Sequence, residues 1–257
     1  MRKSRLLLAP LAVAAIGVAM APLSYAQAGG GTMYGATLSP LNHASGSGML
    51  TLSLHGSSAK VTEHWSGLAS TFSGAPYPHV QHIHGGAMGT CPTSSADKNG
   101  DGVVSTTEGA PSYGGIVTTL SVKGDTSPAA GTNIKIAPGG ASTDYSRTIK
   151  LDSASVKAIQ SGTAVIVVHG LDPTTLSKKA QGEKSDLVPS LPLAATSPAL
   201  CGALTAMPAG GPQTGTGSTA GPEDLGLFAV GGGLLALAGG SVLVARRRST
   251  VHAGSQG

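Results

Sequence analysis

Gly48-Met49-Leu50-Thr51-Leu52-Ser53-Leu54, a short Gly/Ser interruption, and then Lys60-Val61-Thr62-Glu63-His64-Trp65 put apolar residues at every second position on both sides of a turn signal. A period of two belongs to a strand with one face in a core. The same rhythm runs outward in both directions, in short alternating or β-branched runs at 33–38, 79–84, 115–122, 145–151, 163–169 and 200–206, separated by Gly, Pro, Asp and Ser. Eight such runs predict an all-β domain, an antiparallel sandwich or barrel of about eight strands. One short helix is expected at 153–160, capped by Asp152 or Ser153 and closed by Gly162. Aromatic residues are 3% of the chain, so Val, Ile, Leu and Ala must fill the core.

The ends read differently from the middle. Residues 1–26 carry a positive start (Arg2, Lys3, Arg5), an apolar stretch and a small-residue cleavage site at Ser24-Tyr25-Ala26, the three parts of a secretory signal peptide. Residues 225–245 hold no charge, match the length of a bilayer span and run into Arg246-Arg247-Arg248, which would stay cytoplasmic. The expectation is an extracytoplasmic domain over 27–206, a Gly/Pro/Thr-rich linker over 207–224, a transmembrane helix over 225–245 and a basic tail over 246–257. Pro212-Gln213-Thr214-Gly215 ahead of the span resembles a sortase wall-anchoring signal of Gram-positive bacteria, with Gly211 where leucine is usual. Wall anchor and plain membrane anchor stay open as alternatives.

The formal charge of +4 is carried by the termini, because 27–210 holds ten Lys and Arg against ten Asp and Glu. The basic pI therefore gives no case for nucleic acid. The sequence also holds no Ser/His/Asp nucleophile set and no phosphate loop. Cys91 and Cys201 both fall in the exported part, where a disulfide can form; two buried thiols are the alternative.

Two motifs point to metals. From Asp97 to Glu108 the spacing is that of a twelve-residue EF-hand calcium loop. Side-chain oxygens fall at Asp97, Asn99, Asp101 and Ser105, a turn glycine at Gly102, a main-chain carbonyl at Val103 and a closing carboxylate at Glu108. Cys91-Pro92 before it and Pro111 after it argue against a flanking helix, so a structural calcium clip is expected. The second motif is His82-Ile83-His84: on a strand, residues two apart share a face, so both imidazoles can reach one metal while Ile83 enters the core. His169 ends a buried-looking run, Ala164-Val165-Ile166-Val167-Val168.

Several pieces resemble the copper/zinc superoxide dismutases and the related chordin-type (CHRD) domains. They are Ser66-Gly67-Leu68, His82-Ile83-His84-Gly85-Gly86, Cys91 shortly after, Val167-Val168-His169, and a late Cys201-Gly202. The resemblance implies a Greek-key fold, copper on His82, His84 and His169, and a Cys91–Cys201 disulfide pinning an active-site loop. Asp172 is placed to orient His169 from behind.

Departures qualify that reading. No histidine stands between Cys91 and Gly115, where the dismutases keep their bridging and zinc ligands, which argues against zinc. Copper would have three imidazoles unless His64 or His79 joins. Pro198 stands where the dismutases carry an arginine that draws in superoxide. The functions expected are an envelope-anchored, copper-binding dismutase-like domain that removes superoxide, or a non-catalytic chordin-type module stiffened by calcium.

Overall fold

The computed structural model describes residues 31–208. The signal expected at 1–26, the stretch 212–215, the span at 225–245 and the basic tail lie outside the described residues.

Four nine-residue strands, β1 (Thr32–Pro40), β2 (Ser47–His55), β3 (Ser58–Ser66) and β8 (Ser142–Lys150), form one wall. In β3 the alternation is complete: Ala59, Val61, Glu63 and Trp65 are buried, Lys60, Thr62 and His64 exposed. Gly56 carries the positive φ of the two-residue β2–β3 turn, as a right-twisted hairpin requires. Two-residue strands β4 (Thr71–Phe72) and β5 (Ala75–Pro76) make a separate small ladder.

The other wall contains β6 (Gln81–Gly85), β7 (Gly115–Thr119), β9 (Val165–His169) and β10 (Pro198–Ala203). Strands β6 and β9 are buried at every residue, one face in the core and the other under covering loops. The strand order is β7-β6-β9-β10-β1-β2-β3-β8, with β11 (Thr205–Ala206) set beside β1. All pairings are antiparallel, and the protein is mostly β, one curled half-barrel sheet of eight strands. The ends of the order, β7 and β8, do not pair.

The run 200–206 divides at Leu204, whose N–H bonds to the carbonyl of Ala164; β10 pairs with β9 and with the end of β1, and β11 with the start of β1. Short helices fill the connections: α1 (Thr106–Tyr113), α2 (Ser153–Gln160), α3 (Lys178–Gly182) and α4 (Leu193–Thr196). Asp152 caps α2 by accepting from the Ser155 N–H at 2.7 Å. Leu38, Leu50, Leu52, Ile83, Ile166 and Leu200 are fully buried around Trp65. Burying each such side chain contributes about 1.5–3 kcal/mol.

Cys91 and Cys201 are bonded, their Cα atoms 5.8 Å apart, so the loop before α1 is tied to β10. Beside the disulfide, Tyr113 packs with Val165, Val167 and Leu41.

Candidate metal centre

Strand register brings the histidines together. In the β6–β9 ladder His82 lies opposite Val167 and His84 opposite Val165, while the His169 N–H bonds to Val80 O at 2.9 Å, just past the ladder's end. Ile83 points into the core between the two β6 histidines. The ring centroids are 5.5 Å apart for His82 and His84, 5.1 Å for His82 and His169, and 5.9 Å for His84 and His169. One ring nitrogen of each falls within 4.8 Å of the other two, a spacing that no other trio of His, Cys, Asp or Glu reaches among the described residues.

The free nitrogens follow from the occupied ones. His82 Nε2 bonds to Gly131 O at 3.0 Å, His84 Nδ1 to Gly114 O at 2.9 Å, and His169 Nδ1 to Thr196 O at 2.6 Å. A carbonyl only accepts, so each of these nitrogens carries the hydrogen and the opposite nitrogen keeps its lone pair. His82 Nδ1, His84 Nε2 and His169 Nε2 are buried and have no hydrogen-bond partner among the described residues. Three buried lone pairs without a protein partner are costly alone and are what a divalent transition metal or copper(I) takes up.

Burial sets their protonation. His84 is pushed down to about 4 and His169 to about 3, chiefly because burial penalises the charged ring, and His82 is held well below its ordinary range by burial and then by its two neighbours. All three are neutral, and ready to ligate, at neutral pH.

Each carbonyl comes from a different covering segment: the turn after Pro128–Ala130, the end of α1, and the end of α4. Gly114 has φ 85°, and a Cβ there would run into the Gly85 backbone, so glycine permits this approach to His84. The Tyr113 ring packs 4.7 Å from His84, edge-on, and its hydroxyl donates to Thr106 O.

Other expected residues fall elsewhere. Asp172 does not reach His169; it caps a short turn, accepting from the Thr174 N–H and hydroxyl, and the orienting role falls to Thr196 O. A carboxylate at that position is drawn to the free N–H groups of its own turn. His64 is on the outer face with Asp144, 2.8 Å away. His79 is fully buried, but both nitrogens lie 2.9 Å from carbonyls, of His169 and Ala69. Both its ring nitrogens are engaged with carbonyls, so it braces the centre and does not join it as a ligand. Pro198 pairs with His169 across β9 and β10, so an uncharged residue stands there.

The 97–108 loop is held by internal hydrogen bonds and by outside ones from Lys179 to Asn99 O and from Ser177 to Asp101 O. Asp97 accepts from the N–H groups of Gly100 and Gly102, Asn99 from Asp101, Asp101 from Val103, and Glu108 from Lys98 and Ser105. Against the expectation from Pro111, a helix does follow. Ser105 and Glu108 form a capping box that starts α1, and Pro111 forfeits one N–H in an eight-residue helix. Asp97, Asp101 and Glu108 do not approach one another as closely as the three histidines do.

The histidine pair was visible as H-x-H. Tyr113, Gly114, Gly131 and Thr196 were not, because they act through packing or main-chain carbonyls, which any residue supplies. No known protein family and no curated protein matches the chain.

Proposed function

We propose that the chain is a copper-binding, superoxide dismutase-like domain of Greek-key type, exported and held at the cell envelope, that removes superoxide. One observation carries this reading: His82, His84 and His169 each offer a ring nitrogen within 4.8 Å of the other two, and each keeps one buried nitrogen without a hydrogen-bond partner among the described residues. His82, His84 and His169 would hold the ion, and bound copper supplies one-electron chemistry that oxidises one superoxide and reduces the next. The chain's own part is to keep the three tautomers fixed, to hold the rings neutral, and to exclude bulk water. Neutral nitrogen ligands without a thiolate or carboxylate suit copper over calcium or magnesium.

The lack of a zinc-type histidine set and the uncharged Pro198 beside His169 favour slow turnover, because no cation in the strand register draws in the anion. The copper-loaded full chain should scavenge superoxide, and His82→Ala should abolish it at unchanged fold. Copper-loaded protein without activity would leave binding in place and remove the catalysis.

The second reading is a non-catalytic chordin-type module. It is favoured by the centre's coverage, with His82, His84 and His169 at 1–3% exposure. Calcium on Asp97, Asn99, Asp101, Val103, Ser105 and Glu108 would then be the working ion, clamping the loop that leads into α1. In this case His82→Ala changes little and calcium removal changes much.

A further inference from the structure

The half-barrel has a seam where β7 and β8 do not pair, and side-chain hydrogen bonds bridge it. Arg147 on β8 reaches across to the segment after β7, with Nη1 2.6 Å from Ser121 O and 2.7 Å from Ser121 Oγ, and Nη2 3.1 Å from Gly124 O. Below it, Trp65 on β3 donates to Gln81 Oε1 at 2.9 Å, and Gln81 Nε2 donates to Leu120 O at 3.2 Å. These polar links do the work that a strand ladder does elsewhere in the sheet.

Beside them is an anomaly. Glu63 on β3 and Tyr145 on β8 are directly opposite in the register, and both point inward. Glu63 is 3% exposed, and neither of its oxygens, nor the Tyr145 hydroxyl, has a hydrogen-bond partner among the described residues. The groups around Glu63 are easily enumerated. Strand β2 presents Leu50 and Leu52, and β6 the Gln81 amide; β8 presents Tyr145 and, two residues on along the same face, Arg147. His79 lies beyond the Trp65 ring, 5.2 Å from it, and Lys123 and Asp125 are exposed in the segment that Arg147 grips. Arg147 is therefore the one full cation on the Glu63–Tyr145 face, and its present acceptors are Ser121 and Gly124.

We propose that Arg147 and Glu63 form a latch on the β7–β8 seam. While Glu63 is neutral, the guanidinium stays on Ser121 and Gly124 and the seam is shut. Once Glu63 loses its proton to solvent, the carboxylate outcompetes the neutral acceptors, Arg147 turns to it, and the seam opens. The guanidinium's bonds to Ser121 and Gly124 are already charge-assisted, but a carboxylate adds full ion–ion attraction and a bidentate geometry, and an unpaired buried carboxylate is the costlier alternative. Opening admits water to Trp65 and to the inner side of β6, the strand whose outer face carries His82 and His84. Burial pushes the Glu63 carboxyl up to about 8, so the transition falls in the mildly alkaline range. The Gln81 amide, which keeps a second N–H beyond the one given to Leu120, lowers it in turn, but burial outweighs this.

Trp65, the only tryptophan of the chain, reports the state of the seam. In the full chain its emission should shift to the red and become accessible to acrylamide with a midpoint near pH 8. Glu63→Gln should hold the emission blue and protected across the same range. Arg147→Gln should show red, quenchable emission already at neutral pH. A flat wild-type emission overturns the latch, and so does a pH response that Glu63→Gln retains or an Arg147→Gln chain that stays protected. If Glu63→Gln does not fold, the carbon-13 titration of the wild-type Glu63 carboxyl replaces it: its midpoint must coincide with that of the emission, and a mismatch overturns the proposal.

Discussion

At the scale of residues, each imidazole of the centre is defined by what its other nitrogen does. Gly131, Gly114 and Thr196 carbonyls fix three tautomers, and three lone pairs are left without a hydrogen-bond partner among the described residues. The same burial makes the metal-free chain acid-sensitive. Folded pKa values near 4 for His84 and 3 for His169, with His82 also depressed, lie below the unfolded value of 6.5. Their stability is therefore full above pH 6.5 and lost as pH falls through the folded values, at about 1.4 kcal/mol per unit and per group. Glu63 runs the other way. Raised from 4.5 to about 8, it favours the fold fully below 4.5 and progressively less up to 8. Three groups oppose one, so the melting temperature of the metal-free chain should fall on acidification from 6.5 towards 4. A constant melting temperature over that range would mean the rings are solvated.

Among the elements, the loop from Asp97 to Glu108 and the helix it starts show how far residues alone can be read. The alternation in β2 and β3 was plain, since each strand has one wet and one dry face. Strands β6 and β9 were legible as β but not as the covered floor of a site, because what covers them is distant in sequence. Pro111 argues against a helix at α1, but Ser105-Thr106-Thr107-Glu108 spells a capping box whose local contribution outweighs it. Asp172 was misplaced for a similar reason, since its nearest N–H groups are in its own turn. If calcium occupies the loop, removing it with a selective chelator should lower the melting temperature, and adding calcium back should restore it. Indifference to chelator would leave the loop as a turn held by hydrogen bonds alone.

For the whole molecule, closure depends on ties between distant segments. The disulfide joins residues 110 apart and keeps the Tyr113 region against His84. By loop-entropy reasoning it stabilises the fold by about 4–5 kcal/mol. A Cys91→Ser, Cys201→Ser chain should melt lower and bind metal more weakly, whereas unchanged metal affinity would show that the loop holds its place without the bond. The decisive experiment is copper loading of the full chain, read by elemental analysis and by electron paramagnetic resonance. One copper per chain, with hyperfine structure from three imidazole nitrogens that His84→Ala diminishes, is the expected result. Protein that takes up no stoichiometric copper, or whose spectrum is untouched by His84→Ala, would contradict the centre formed by His82, His84 and His169.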